Sequence, residues 1–215
     1  SATPIPRTLA MSYFSDLDVS VIDELPPGRR PVRTRLLQAA RRLELMQLVR
    51  SEVLAGRQVY WVCPLIEESE ALDLRHAHES FEQLSLALPG IEVGLVHGRL
   101  SALEKQTVMQ AFQAGHIKVL VATTVIEVGV DVPQASLMVI EHAERFGLAQ
   151  LHQLRGRVGR GKAKSQCVLL YGDALGESAR ARLKAIYQHQ DGFEIAREDL
   201  RIRGPGEFLG LRQSG

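Results

Sequence analysis

The sequence predicts an α/β fold of three layers, with a mainly parallel sheet, helices on both of its faces and a helical hairpin or loop appended at the end. Three observations predict it. Strand-length apolar runs alternate with helix-period stretches through short loops, the pattern of parallel crossover units. Gln58–Cys63 (QVYWVC) is a continuous apolar run, as a strand covered on both faces requires. From Asp191 the alternation stops, and Gly-Phe-Glu-Ile-Ala opens a short helix followed by Arg203-Gly204-Pro205-Gly206. With 215 residues, 45% of them apolar and 24% charged, the chain can bury a core without staples and is neither fibrous nor disordered.

In chain order, residues 1–35 read as irregular, with one strand candidate at Val19–Ile22. Leu25-Pro26-Pro27-Gly28 breaks the backbone and reads as a connection. A helix is predicted over Arg41–Leu54, where Leu45, Leu48, Val49 and Val53 share a stripe, and strand Gln58–Cys63 follows. Ser69 is a candidate cap for a helix whose Leu74, Ala77, Phe81, Leu84 and Leu88 recur at three- and four-residue steps. Ile91–Val96 is the next strand. Ser101-x-x-Glu104 is a capping box, and Gly115 is a fitting helix stop. Strand Lys118–Ala122, a short helix, strand Leu137–Ile140, a helix through Leu151 and strand Gln166–Tyr171 complete the alternation. A helix with Ala179, Leu183 and Ile186 on one side comes last before the tail. The expected division is a leading segment and linker over 1–35, a sheet domain over 36–176 and an appendage over 177–215.

Composition excludes several classes. No apolar run approaches the ~18 residues that span a bilayer, and no signal-peptide pattern opens the chain. The two cysteines, Cys63 and Cys167, each sit in an apolar run, so no disulfide framework is expected and a cytoplasmic location is. Net charge is +1, which gives no global case for an acidic partner. The chain opens Ser-Ala-Thr-Pro without an initiator Met and reads as a piece of something longer.

The basic residues are unevenly placed. Gln153-Leu154-Arg155-Gly156-Arg157-Val158-Gly159-Arg160-Gly161 interleaves arginines with glycines. Glycine admits close backbone approach, and arginine offers a permanent, planar fork for phosphate oxygens. If the segment is helical, Arg157 and Arg160 share one face and suit the γ-phosphate of a nucleotide bound opposite. The competing reading is a solvated basic patch.

A second run, Val119 to Pro133, ends an apolar strand in Thr123 and Thr124, then passes through a short helix to Gly129 and Asp131. The hydroxyls and freed N–H groups at that helix start suit an anion such as a nucleic-acid phosphate. Asp131 could accept a ribose hydroxyl or orient an arginine. Alternatively the threonines are caps and Asp131 a turn former. The third candidate is His97-Gly98-Arg99 at the end of a strand before a capped helix, where His97 and Arg99 can face phosphate. The fourth is the tail from Asp199 to Gln213, either an exposed charged hairpin or a basic coupling element. No Gly-x-x-x-x-Gly-Lys-Ser/Thr loop is present and no acidic Mg²⁺ motif follows a strand, so the arginines must borrow a phosphate loop from elsewhere.

These residues together resemble the second RecA-like domain of a superfamily 2 helicase. Ser1-Ala2-Thr3 is similar to motif III, Thr123–Asp131 to motif V, Gln153–Arg160 to motif VI, and His97-Gly98 to the motif IV region. Glu127–Pro133, Arg145–Arg157 and the tail with Arg203–Glu207 and Arg212–Gly215 resemble most closely the bacterial branched-DNA helicases. The transcription-repair coupling factor shares the middle stretch and a related tail. The resemblance implies a RecA-like lobe in which Arg157 and Arg160 contact the γ-phosphate of ATP, with Gln153 supporting. Gly129 and Asp131 would then lie near the nucleotide, and His97, Gly98, Arg99, Thr123 and Thr124 near the DNA backbone. Ser1, Thr3, Arg182, Arg203 and Gln213 would couple nucleotide state to DNA movement.

The resemblance further implies that ATP and Mg²⁺ are bound mainly by a first RecA-like domain of the same chain, with no cofactor expected here. Branched DNA would be the partner, the protein a cytoplasmic, nucleoid-associated bacterial monomer, and no membrane would be involved. The expected function is the C-terminal motor half of an ATP-dependent helicase or translocase remodelling stalled forks and Holliday junctions in recombination and repair. Two alternatives stand beside it. One is a coupling-factor-like translocase domain. The other is a non-catalytic nucleic-acid-binding module using Arg155, Arg157, Arg160, Lys162 and Lys164 as its footprint.

Overall fold

The computed structural model describes residues 31–64, 70–123, 132–161 and 163–203, with the side chains of 70–73 excepted. Its six strands are β1 (Arg33–Gln38), β2 (Gln58–Cys63), β3 (Val93–Val96), β4 (Val119–Thr123), β5 (Ala135–Ile140) and β6 (Gln166–Tyr171). They form one sheet in the order β1-β6-β5-β2-β4-β3, and every pair is parallel. The helices are α1 (Arg42–Leu54), α2 (Glu70–Ala87), α3 (Ala102–Gln113), α4 (Leu148–Arg155), α5 (Glu177–Gln188) and α6 (Gly192–Arg203).

The two sheet faces make two cores. Odd-numbered β2 residues Val59, Trp61 and Cys63 join Leu45 and Val49 of α1 and Ala77 and Leu84 of α2. Even-numbered Tyr60 and Val62 join Phe112 of α3, Leu148 and Leu151 of α4, Leu183 and Ile186 of α5, and Ile195 of α6. Successive side chains alternate faces, so burial on both sides yields the unbroken apolar run seen in the sequence. Ser101 caps α3 as expected: Glu104 N–H donates to its hydroxyl at 3.3 Å, and Ser101 N–H donates to the Glu104 carboxylate at 2.8 Å.

Three expectations are corrected. Residues 33–35 are not irregular but open β1, which pairs along its whole length with β6 at the sheet's edge. Its sequence, RTRLLQ, gives no continuous apolar signal because it is only half-covered. The helix expected to end at Leu151 runs to Arg155. Of the two readings of the tail, the exposed charged hairpin fails for Asp199–Arg203, which closes α6, the short helix expected after Asp191, and α6 packs on α4 and α5. The short helix expected after Thr123, and the residues beyond Arg203, lie outside the described residues.

Candidate functional site

The arginine–glycine run begins inside α4. Gln150 Oε1 accepts from Gly147 N–H at 3.0 Å and closes the helix start. Leu148, Leu151, His152 and Arg155 face inward, while Gln153 is exposed. The helix stops at Arg155. Arg157 N–H donates to Leu154 O at 3.0 Å, and Gly159 takes a left-handed φ of 82° that reverses the chain. Gly161 then packs against the segment before β5, so closely that a Cβ there would overlap the Pro133 carbonyl oxygen. Arg157 and Arg160 therefore do not share a helical face, and that expectation is corrected. Both are half-buried members of one turn, on either side of the fully buried Val158.

The three arginines part company here. Arg155 is 3% exposed. Its Nη1 donates to the carbonyls of Ile186 at 2.7 Å and His189 at 2.9 Å, and to Thr34 Oγ1 at 3.3 Å. Its Nη2 donates to Gln190 O at 3.2 Å and meets His152 Nδ1 at 3.0 Å. Arg155 thus leaves the surface footprint that the binding-module alternative assigned to it. Beside it, burial first and the Arg155 charge second push the His152 pKa down to about 4. Of the remaining footprint residues, Lys164 is exposed and Lys162 lies outside the described residues.

The second group stands at the opposite end of the sheet, where strands β3 and β4 finish. His97 follows β3, half-buried, with its Nδ1 buried and lacking a hydrogen-bond partner. Burial lowers its pKa, and the charges of His78, Lys105 and Arg99 push the same way. The His78 and His97 ring centroids are 5.7 Å apart. Lys105 Nζ donates to Gly98 O at 2.8 Å, and Gly98 and Arg99 are exposed. Thr123 is the last β4 residue, in register with Cys63 and only 2% exposed. Its hydroxyl is inside the sheet edge rather than on the surface expected of a phosphate contact. Thr124, Gly129 and Asp131 lie outside the described residues.

The arginine turn abuts residues that lead into β5, whereas His97 follows β3 and Thr123 ends β4. The two groups therefore belong to opposite ends of the parallel strands.

Of the coupling residues, Arg182 Nη2 donates to Glu144 O at 2.8 Å and its Nη1 to Ser178 Oγ at 2.8 Å. Arg203 pairs with Asp199 at 3.1 Å and lies beside Gly147 at the start of α4. Ser1, Thr3 and Gln213 lie outside the described residues.

Sequence reasoning missed Glu141, the buried residue after β5. Its carboxylate accepts from Arg42 Nη1 and from Ser80 Oγ at 2.8 Å, and lies 3.4 Å from Cys63 Sγ. It joins α1, α2 and β2 at the carboxyl edge. Burial, then this carboxylate, raises the Cys63 pKa well above the usual thiol value. A groove of about 350 Å³ between the ends of β1 and β6 and α5, lined by Leu36, Tyr171, Arg180 and Tyr187 among others, holds none of the candidate residues. Among the described residues, no cluster of His, Cys, Asp and Glu could hold a metal, and no helix is long and apolar enough to cross a membrane.

The helicase conserved C-terminal domain family matches residues 40–162. Over all 215 residues the chain is 62% identical to the ATP-dependent DNA helicase RecG of Acidithiobacillus ferridurans. It is 60% identical to RecG of Escherichia coli K12 and 55% to RecG of Thermotoga maritima, in each case over the whole of this chain. It spans 31%, 31% and 28% of those three proteins. A solved structure of RecG bound to a three-way DNA junction superposes with a TM-score of 0.78 at 52% identity, over 96% of this chain and 27% of that one. A point variant of Saccharomyces cerevisiae Dbp5 bound to RNA and ADP BeF3 shares the fold alone, with a TM-score of 0.56 and 17% identity over 92% of this chain and 51% of that one.

Proposed function

Because the chain belongs to the helicase conserved C-terminal domain family and matches RecG along its whole length, we propose that it is the second motor lobe of a bacterial ATP-dependent DNA helicase that remodels branched DNA. The observation that carries the reading is the turn after α4. Two guanidinium groups leave a helix end within four residues, anchored by the buried Val158 and by the contact of Gly161 with Pro133. A turn held this firmly can present fixed positive charge to a phosphoryl group on a facing lobe.

In this mechanism Arg157 and Arg160 reach across a cleft to the γ-phosphate of ATP, whose phosphoryl transfer supplies the energy. The guanidinium groups stabilise the charge that develops on the transferring oxygens, an effect on the order of 10³–10⁵ in rate. Gln153, exposed one turn earlier on α4, supports the same pocket, with Gly129 and Asp131 beside the nucleotide. Mg²⁺ and most nucleotide contacts belong to a first RecA-like domain of the same protein. His97, Gly98 and Arg99 take the DNA backbone at the other end of the sheet, where the unsatisfied His97 Nδ1 supports a phosphate contact. Arg182, Arg203 and Gln213, with Ser1 and Thr3, link the two sites. The parent protein acts as a monomer in the bacterial cytoplasm, at the nucleoid.

Whole-length identity to RecG disfavours the coupling-factor-like alternative. The burial of Arg155 weakens the binding-module alternative, which loses a central cation of its footprint. DNA-stimulated ATP hydrolysis and fork unwinding by the full-length protein test the proposal. Junction binding without hydrolysis would refute it.

A further inference from the structure

We propose that Arg155 is a positioning residue that ties the arginine-bearing turn to the α5–α6 hairpin, so that the two move as one body. The inference rests on the motor reading above and adds to it a mechanical link. Arg155 is the last residue of α4, and Arg157 belongs to the turn that follows without a break. Its guanidinium lies at the far end of another helix. Ile186 is in the last turn of α5, His189 is its C-cap, and Gln190 opens the link to α6. The last carbonyls of a helix have no partners within it and carry the negative end of its dipole. One planar cation, donating to the carbonyls of Ile186 in the last turn, His189 at the cap and Gln190 in the link, joins the ends of two helices.

The rest of the interface shows why this contact matters. Arg182 reaches the turn before α4, and Arg203 lies beside Gly147 at its start. Both hold the end of α4 remote from Arg157 and Arg160. Among the described residues, Arg155 makes the hydrogen bonds that fasten the hairpin to the other end, where the nucleotide-facing turn begins. Thr34 Oγ1 adds a tie to β1, and His152 Nδ1 fixes the guanidinium from its own helix. A displacement of the turn is thereby carried to the α5–α6 corner. A lysine ammonium at this position keeps the charge but cannot span the same set of acceptors.

The test uses the full-length protein that contains this chain, with R155K and R155M compared against wild type. Under saturating fork DNA, R155K is expected to keep kcat for ATP hydrolysis within about threefold, with KM for ATP unchanged. The base pairs unwound per ATP hydrolysed should fall about fivefold or more, the lower end of usual coupling strengths. R155M should fall further. An unchanged yield per ATP in both variants overturns the proposal. So does a fall in hydrolysis and unwinding by the same factor, which is the signature of a residue that merely supports the fold. If thermal melting shows R155M unfolded, the ratio in R155K decides alone. A wild-type protein without hydrolysis would instead refute the motor reading.

Discussion

Arg155, Arg157 and Arg160 look equivalent in the sequence, yet one lies under helix ends while the other two stay in a half-buried turn. The proposed division of labour makes them separable by mutation. In the full-length protein, Arg160→Ala should lower DNA-stimulated phosphate release by about 10³ while fork affinity, read by fluorescence anisotropy, changes little. Lost affinity with normal phosphate release would contradict the assignment. His152 gives a second prediction. Its folded pKa of about 4 lies below the ordinary 6.5, so the unfolded chain takes up the proton first. Its neutral burial costs nothing above pH 6.5, and stability is lost as pH falls from there toward 4, by about 3 kcal/mol in all. Replacing His152 with Met should flatten that part of the curve of denaturation midpoint against pH. An unchanged slope would show that another group carries it.

Elements depend on glycines to different degrees. At Gly94 in β3 a Cβ would come within 2.7 Å of Ile117 Cδ1, the end of a side chain that can rotate away. At Gly161 it would meet the Pro133 carbonyl, which is backbone and cannot yield without moving the approach to β5. Gly94→Ala should therefore cost about 1 kcal/mol or less, and Gly161→Ala about 2–3 kcal/mol, by thermal melting of the purified chain. Equal losses would show that the turn adjusts freely. The same scale shows what local sequence reveals. The α3 capping box and the strand at Gln166–Tyr171 were legible because their signals are complete within a few residues. Strand β1 was not, because a half-covered edge strand carries no continuous apolar run and its pairing partner lies far along the chain. Nor was the length of α4, which passes the expected end at Leu151 and stops only at its C-cap Gly156, because the last inward-facing residues, His152 and Arg155, are polar and add nothing to an apolar stripe.

At the scale of the whole molecule, the chain spans under a third of the RecG proteins it matches. On the proposed mechanism its arginines complete a pocket built mostly by another domain. The purified 215-residue chain should accordingly show no DNA-stimulated ATP hydrolysis above background in a coupled phosphate assay. Robust turnover would refute that division of labour.

The sequence by itself determined the three-layer fold, the two-sided apolar strands and the identity of the basic and glycine-rich motifs. Hydrophobic period, capping pairs and breakers are local properties, readable a few residues at a time. Only the tertiary structure decided which of those motif residues reach solvent, and where the arginine turn and the His97 loop stand relative to each other. Burial depends on what the chain brings back from 31 or 121 residues away, as Ile186 and Thr34 do for Arg155. No pattern within the motif encodes that return, because the acceptors that bury the guanidinium are backbone carbonyls, which every residue carries.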